Sequence, residues 1–190
     1  EGSYSPVKNI YTLIEKAVYV PLSDEMKDFV IIMCVFESFT SEQAVYMRGK
    51  ENTGQLLKEL TGKNAFVKYD GKLKTYHMHK IFCDFLQEEL NRKDISRRQG
   101  IYQKAGHWYL KTGNYIIARH YFYQCGDFDN VLLALEEDRS NSFTNENKEI
   151  LKQHMADCPG EVKSRHPYAV LKYLMHLFVH NERELFSQVY

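Results

Sequence analysis

The sequence predicts a mainly α chain in two parts. A winged helix-turn-helix with a two-stranded wing comes first, and a tetratricopeptide-like array of helical hairpins follows. Three observations carry this. Apolar residues recur at i, i+3, i+4 and i+7 through most segments between the 10 Gly and 4 Pro of the 190 residues. That period breaks where the β-prone runs Ala65–Tyr69 and Lys72–Met78 flank Asp70-Gly71, a strong signal for a hairpin with a two-residue turn. Finally, the turn Thr112-Gly113-Asn114-Tyr115 returns 13 residues later as Cys125-Gly126-Asp127-Phe128, with Ala118 and Ala134 following at nearly the same phase.

The elements follow in order. Val7–Val20 reads as an amphipathic helix with Ile10, Leu13, Ile14 and Ala17 on one face, ended by Pro21. Ser23 caps a second helix, with Asp24 and Glu25 in its first turn and Met26, Phe29, Val30, Met33 and Phe36 as its buried stripe. Thr40 caps a short third helix that Gly49 stops. A fourth runs over Gln55–Leu60 and ends at Gly62. After the hairpin, His79–Leu90 is a helix with Ile81, Phe82, Phe85, Leu86 and Leu90 on its apolar face.

Beyond it, helices are expected from Asp94 or Ser96 to Lys111, over Tyr115–Gln124 and over Phe128–Glu137, with Asp127 as an N-cap. Arg139–Asn147 reads as a polar loop. Helices resume over Lys148–Ala156, over Pro167–Val179 with Val170, Leu171, Leu174, Leu177 and Phe178 as a stripe, and from Glu182 onward. The expected division is a leading helix and linker over 1–21, a winged helix over 22–92, and a helical-repeat domain over 93–190 that is cut within its last helix.

Composition narrows the function. Lys+Arg and Asp+Glu are both 25, so the net charge is zero, which disfavours a protein that coats nucleic acid by bulk attraction. The longest apolar run, Phe29–Phe36, is far short of the ~20 residues of a membrane span. Cys34, Cys83, Cys125 and Cys158 form no CxxC pair. With Cys34 and Cys83 in apolar helical patterns, a reducing cytoplasm is expected. The start, Glu1-Gly2-Ser3-Tyr4, has no Met and no signal-peptide pattern, and the chain is expected to be a piece of a larger soluble protein. No catalytic triad or carboxylate pair stands out, so no enzyme is expected and no catalytic residue is assigned. His77 with His79, and His176 with His180 and Glu184, have spacings that permit metal ligation but lack a second pair or a Cys partner, so no metal site is assigned.

The most specific stretch is Tyr76-His77-Met78-His79-Lys80-Ile81-Phe82-Cys83-Asp84-Phe85-Leu86. It resembles the wing-to-helix junction of STAND-class signalling ATPases, with Met78-His79 at the Met-His positions of the Met-His-Asp motif. Leu22-Ser23-Asp24-Glu25, Leu56-Leu57-Lys58-Glu59-Leu60 with Asn64 and Phe66, and Ala105-Gly106-His107-Trp108-Tyr109 extend the resemblance to MalT-like, LuxR-family transcriptional regulators over roughly residues 10–137. The sequence departs from the pattern at Lys80, where the plant motif has Asp, and at His77, where the bacterial motif has Arg. The resemblance implies that His79 donates to the β-phosphate of ADP held by an upstream nucleotide-binding domain of the same chain, with Lys80 pairing with Asp84 or helping to hold phosphate. No Gly-x-x-x-x-Gly-Lys-Ser/Thr run occurs, so the chain carries no cofactor by that route and ATP or ADP is implied only for the full-length protein. The array would receive an inducer or partner protein, and DNA would be read by a C-terminal domain outside this chain.

Two other readings stand beside this one. Lys58, Lys63, Lys68, Lys72 and Lys74 make a local positive patch, and a winged helix with a helical oligomerisation arm could bind duplex DNA through Lys58, Lys63, Lys72 and Lys74. The array could instead serve as an adaptor for partner peptides. Taken without its surroundings, His79 reads as a structural histidine.

Overall fold

The computed structural model describes residues 6–63, 66–139 and 145–179, those at 6–8, 63 and 145–147 by their backbone. The chain divides into two compact units, residues 1–101 and 102–190. The expected helix from Glu182, together with His180 and Glu184, lies outside the described residues, as do Asn64, Ala65 and 140–144 of the polar segment.

In the first unit α1 (Pro6–Ile14) runs into a π-helical turn over Glu15–Tyr19. Its buried side differs from the expected one: Ile14 is buried, but Ile10, Leu13 and Ala17 are exposed. Aromatic packing selects the face instead. The rings of Tyr11 and Tyr19 meet Phe85 edge-on at 6.0 and 5.4 Å, and the wider π turn helps bring these two tyrosines, eight residues apart, to one ring.

Helix α2 (Asp24–Met33) starts where Ser23 accepts from the Met26 amide at 3.2 Å, and buries Met26, Phe29, Val30, Ile31 and Met33. Strand β1 (Ser38–Thr40) follows, and Thr40 caps α3 (Ser41–Arg48) by accepting from the Gln43 amide. Gly49, at φ 68°, ends α3 in the left-handed conformation that only glycine adopts without strain. Arg48 then ties the turn together, donating to Glu25 and to Asn52, while Asn52 donates to Glu25 at 3.0 Å. Hydrogen bonds from Asn52 and Arg48 hold the Glu25 carboxyl below its ordinary pKa.

Helix α4 (Thr53–Lys63) is longer than expected, because Gly62 lies inside it with open space around its Cα and is not the stop. The wing is β2 (Val67–Asp70) and β3 (Thr75–Met78), antiparallel, and β1 joins on the far edge to give the order β1-β3-β2. The third strand is too short to register as an alternating pattern in sequence. In register, Phe39, Tyr76 and Tyr69 form an aromatic ladder across the sheet, with ring centroids 5.4 and 4.8 Å apart.

The expected two-residue turn at Asp70-Gly71 is replaced by a four-residue loop, Gly71–Lys74. The cause is the Asp70 side chain, which accepts from the Lys72 and Leu73 amides at 2.8 and 3.1 Å and wraps the chain around itself. These two bonds also lower the Asp70 pKa. Helix α5 (Lys80–Asn91) packs back against α2, with Phe82, Phe85, Leu86 and Leu90 in the core.

Helix α6 (Ile95–Lys111) begins where Asp94 accepts from the Ser96 amide at 2.8 Å, and the division between the units falls within it. In the second unit α7 (Tyr115–Gln124) and α8 (Phe128–Glu137) are a hairpin array in miniature. Gly113 and Gly126 turn the chain at φ 77° and 74°, and Asn114 and Asp127 then cap the next helix by accepting from Ile117 and Asn130. Ala118 and Ala134 are fully buried.

Gly106 marks the closest approach: a Cβ there would lie 2.7 Å from ring atoms of Phe122, itself fully buried. Tyr109 and Tyr121 stack at 5.5 Å, so the aromatics of α6 and α7 are interhelix packing. Helix α9 (Asn145–Asp157), the short α10 (Gly160–Arg165), which the sequence reading lacks, and α11 (Pro167–Val179) complete the unit. Lys172 of α11 donates to the carbonyls of Leu135, Glu136 and Asp138 at 2.7–3.0 Å and closes the C-terminal end of α8. That contact turns Ala169, Tyr173, His176 and Leu177 inward, leaving Leu171 and Phe178 of the expected stripe on the exposed side.

Two expectations follow. Gly106→Ala lowers stability by about 1–2 kcal/mol, because overpacking against Phe122 outweighs the helix-propensity gain, whereas Gly100→Ala, with open space, raises it by about 0.5–1 kcal/mol; urea unfolding of both variants checks the pair. His154, 3 % exposed, is held neutral with its pKa pushed down to about 4, by burial first and by Arg119 and His120 next. The unfolded chain binds this proton at its ordinary pKa near 6.5, so stability falls as pH drops from there towards 4, by up to about 3 kcal/mol. His154→Phe keeps a ring against Tyr123, and its melting temperature is expected to vary less over that window.

Candidate functional site: the wing-to-helix junction

The junction is built by a change of backbone role across two residues. Met78 ends β3 with its side chain buried, and His79 becomes the N-cap of α5 at φ −64°, ψ 134°. The sheet is carried one step further by the His79 amide, which donates to the Phe66 carbonyl at 2.7 Å, while the His79 carbonyl accepts from Phe82 and Cys83 at the head of α5. His79 is thus held by main chain on both sides.

Its side chain makes no capping bond and is exposed, with the ring edge-on to Phe66 at 6.0 Å. Phe66 in turn packs on Phe82 at 5.5 Å, so the imidazole rests on a shelf anchored in the core. The sequence reading had Phe66 only as part of the wing; nothing short of the strand register marks it as the support of His79. Among the described residues neither ring nitrogen of His79 meets a hydrogen-bonding partner. The Lys80 and Ile81 amides in the first turn of α5 are likewise without an acceptor there, as is usual at a helix start.

Lys80 faces a different neighbourhood. Its Nζ lies 3.4 Å from Asp84, one turn along α5, and both line a cleft of about 430 Å³ with Cys34, Glu37, His77 and Gln87. Within that lining Gln87 donates to the Cys34 carbonyl at 3.3 Å. Burial pushes the Cys83 thiol up to about 11 and Cys34 higher still, so neither is a thiolate at neutral pH. The structure therefore sets His79 on the Phe66 shelf and turns Lys80 towards Asp84 and the cleft.

The lysines of the alternative reading are spread over two elements. Lys58 is exposed on α4 beside Glu59. Lys72 and Lys74 flank Leu73, 67 % exposed, at the tip of the wing, where Lys74 sits at φ 54°. The side chain of Lys63 lies outside the described residues. Lys68 stands opposite His77 on the outer face of the sheet, and His77 pairs with Thr75 at 2.9 Å. Among the described residues no group of three or more His, Cys, Asp or Glu side chains could hold a metal ion, and no helix is long and apolar enough to cross a membrane.

A three-helix core, a wing, and a return helix starting at an exposed histidine, with a helical array after it, define a winged-helix module. Residues 15–98 match the profile of the MalT winged helix domain, and this region of the chain is MalT-like. Over 133 residues, 70 % of its length, the chain is 23 % identical to the serine/threonine-protein kinase PknK of Mycobacterium tuberculosis, strains CDC 1551 and H37Rv, and of Mycobacterium bovis. The matched stretch is 12 % of each kinase, so the chain spans about an eighth of the length of the curated relatives it matches.

Because the His79 side chain makes no capping bond, and its main-chain bonds survive truncation, His79→Ala is expected to change the unfolding free energy by no more than about 0.5 kcal/mol. A loss above about 1.5 kcal/mol in urea unfolding would make it a structural residue.

Proposed function

We propose that this chain is the regulatory middle of a signal-responsive, ATP-dependent transcriptional regulator of the STAND class, of the MalT-like LuxR family. In this reading the winged helix clamps an autoinhibited, ADP-bound state, and the tetratricopeptide-like array begins the arm that senses an inducer or a partner protein. The observation that carries the reading is His79: an exposed imidazole at a helix N-terminus, fixed by the Phe66 carbonyl and shelved on the Phe66 ring, with its polar atoms left for something outside the described residues. The MalT-like match over 15–98 supports it independently.

The physics is that of anion binding at a helix start. Free amides and the positive end of the helix dipole favour a phosphate, and the imidazole adds a directed donor. The nucleotide-binding domain would belong to the same chain upstream, and the β-phosphate of its ADP would bridge it to His79. Exchange for ATP would change that contact and release the winged helix, a two-state switch biased by differential affinity. Lys80, engaged with Asp84, contributes charge beside the site. The module itself carries no reaction; DNA would be bound by a further C-terminal domain, and the protein would work in the cytoplasm. The kinase relatives share only this stretch, and no phosphotransfer is assigned to it.

The test uses the intact parent protein, denatured so that released nucleotide can be identified by chromatography. About one ADP per chain in the wild type, with loss or fast exchange in His79→Ala, is expected. No nucleotide in either protein, or equal ADP in both, would overturn the clamp.

A further inference from the structure

The cleft beside the junction, about 430 Å³, lies within the first unit and is large enough for a small ligand or one long side chain. Its walls come from the turn after α2, the end of β3 and α5. Phe36, Met78, Cys34 and Cys83, each more than nine-tenths buried, give it an apolar, sulfur-rich lining. The other three cysteines each donate their thiol to a carbonyl: Cys34 to Ile31, Cys125 to Phe122 and Cys158 to Pro159. Cys83 alone, 8 % exposed, lines the cleft with no hydrogen-bond partner among the described residues.

The polar groups around this lining are mostly acceptors. Glu37 is exposed and enters no ion pair among the described residues. Asp84 has Lys80 at 3.4 Å, but the Lys80 side chain is 88 % exposed, and so open a pair holds weakly. Gln87 gives its nitrogen to the Cys34 carbonyl and leaves its amide oxygen over. His77 is engaged by Thr75 at 2.9 Å. Two carboxylates against one ammonium leave the cleft with negative charge in excess. The Cys83 thiol registers this: burial first, then Asp84 and Glu37 against the opposing Lys80, push its pKa up to about 11.

We propose that this cleft binds a guanidinium group. A monocation balances the excess charge. A guanidinium suits the cleft better than a compact ammonium, because its planar, weakly hydrated face tolerates the sulfur and ring lining. Its edge meanwhile donates in several directions, to Glu37, Asp84 and the Gln87 oxygen. A carboxylate would meet the same acceptors and be repelled. The group can arrive on a free small molecule or on an arginine side chain of a protein partner. The site uses none of the His79 contacts, so it and the nucleotide reading can fail separately.

The test labels the methionine methyl groups of the full chain and follows the Met78 resonance by NMR at pH 7. Ethylguanidinium, ethylammonium and acetate are titrated at matched ionic strength. A saturable shift with ethylguanidinium is expected, with ethylammonium at least about threefold weaker and acetate without effect. Glu37→Gln and Asp84→Asn should each weaken ethylguanidinium by about threefold or more, the scale of a partly exposed charge pair. Both acids reach solvent, and if one variant fails to fold the other carries the comparison. N-acetylarginine methylamide identifies the source: affinity at least equal to that of ethylguanidinium supports an arginine of a protein partner, and its exclusion supports a free small molecule. A Met78 resonance that ignores ethylguanidinium, an equal response to ethylammonium or acetate, or undiminished affinity in either acid variant that folds would each overturn the proposal.

Discussion

The first unit depends on one hydrogen bond, from the His79 amide to the Phe66 carbonyl at 2.7 Å. It is the last rung between the two strands of the wing and, on the same residue, the point where α5 begins. Strand pairing and helix start are therefore not independent. The Val67 to Met78 pairing fixes where the strand ends, the end of the strand fixes where the helix starts, and the helix start fixes where Phe82, Phe85 and Leu86 enter the core. Phe85 then receives Tyr11 and Tyr19, so even the leading helix takes its orientation from this junction. A residue placed by such a chain of contacts can keep its side chain out of the packing, and His79 does.

The second unit solves a different problem. Its α7 and α8 are short, 10 residues each, and gain little stability alone. Both are held by repeated local devices: a left-handed glycine, a capping Asn or Asp directly after it, and a fully buried alanine one turn into α7 and two turns into α8. Where such a device is lacking, a long side chain takes over, as Lys172 does for the open end of α8. Beside the apolar cluster that includes Phe122, Leu132, Leu135, Leu151 and Met155, the same unit buries the polar side chains of Arg119 and His154.

Much of this is legible in the residues. Ser23, Thr40 and Asp127 cap helices as their chemistry dictates, Gly49 ends α3, and Pro167 opens α11. What is not legible depends on partners far along the chain. Asp70 reads as half of a tight turn until its carboxylate captures two later amides. The face of α1 is decided by Phe85, some seventy residues away, and that of α11 by the carbonyls at the end of α8. Strand β1 exists because β3 offers it an edge. At the candidate site, the sequence marks His79, but only the fold shows Phe66 beneath it and Lys80 turned to a separate cleft. Arg119 and His154 give no local signal at all, since a polar residue on a helix reads as solvent-facing until its neighbours are known.

The contact between Gly106 and the Phe122 ring has an evolutionary consequence. The ring occupies the volume a side chain at 106 would need, so these two positions share one fixed space between α6 and α7. Lineages can drift here only by exchange, with a bulkier residue at 106 admissible once 122 has become smaller. The reverse order passes through a poorly folding ancestor. Such a pair acts as a ratchet on the history of the array, and its volumes should be anticorrelated among descendants even though neither residue touches a ligand.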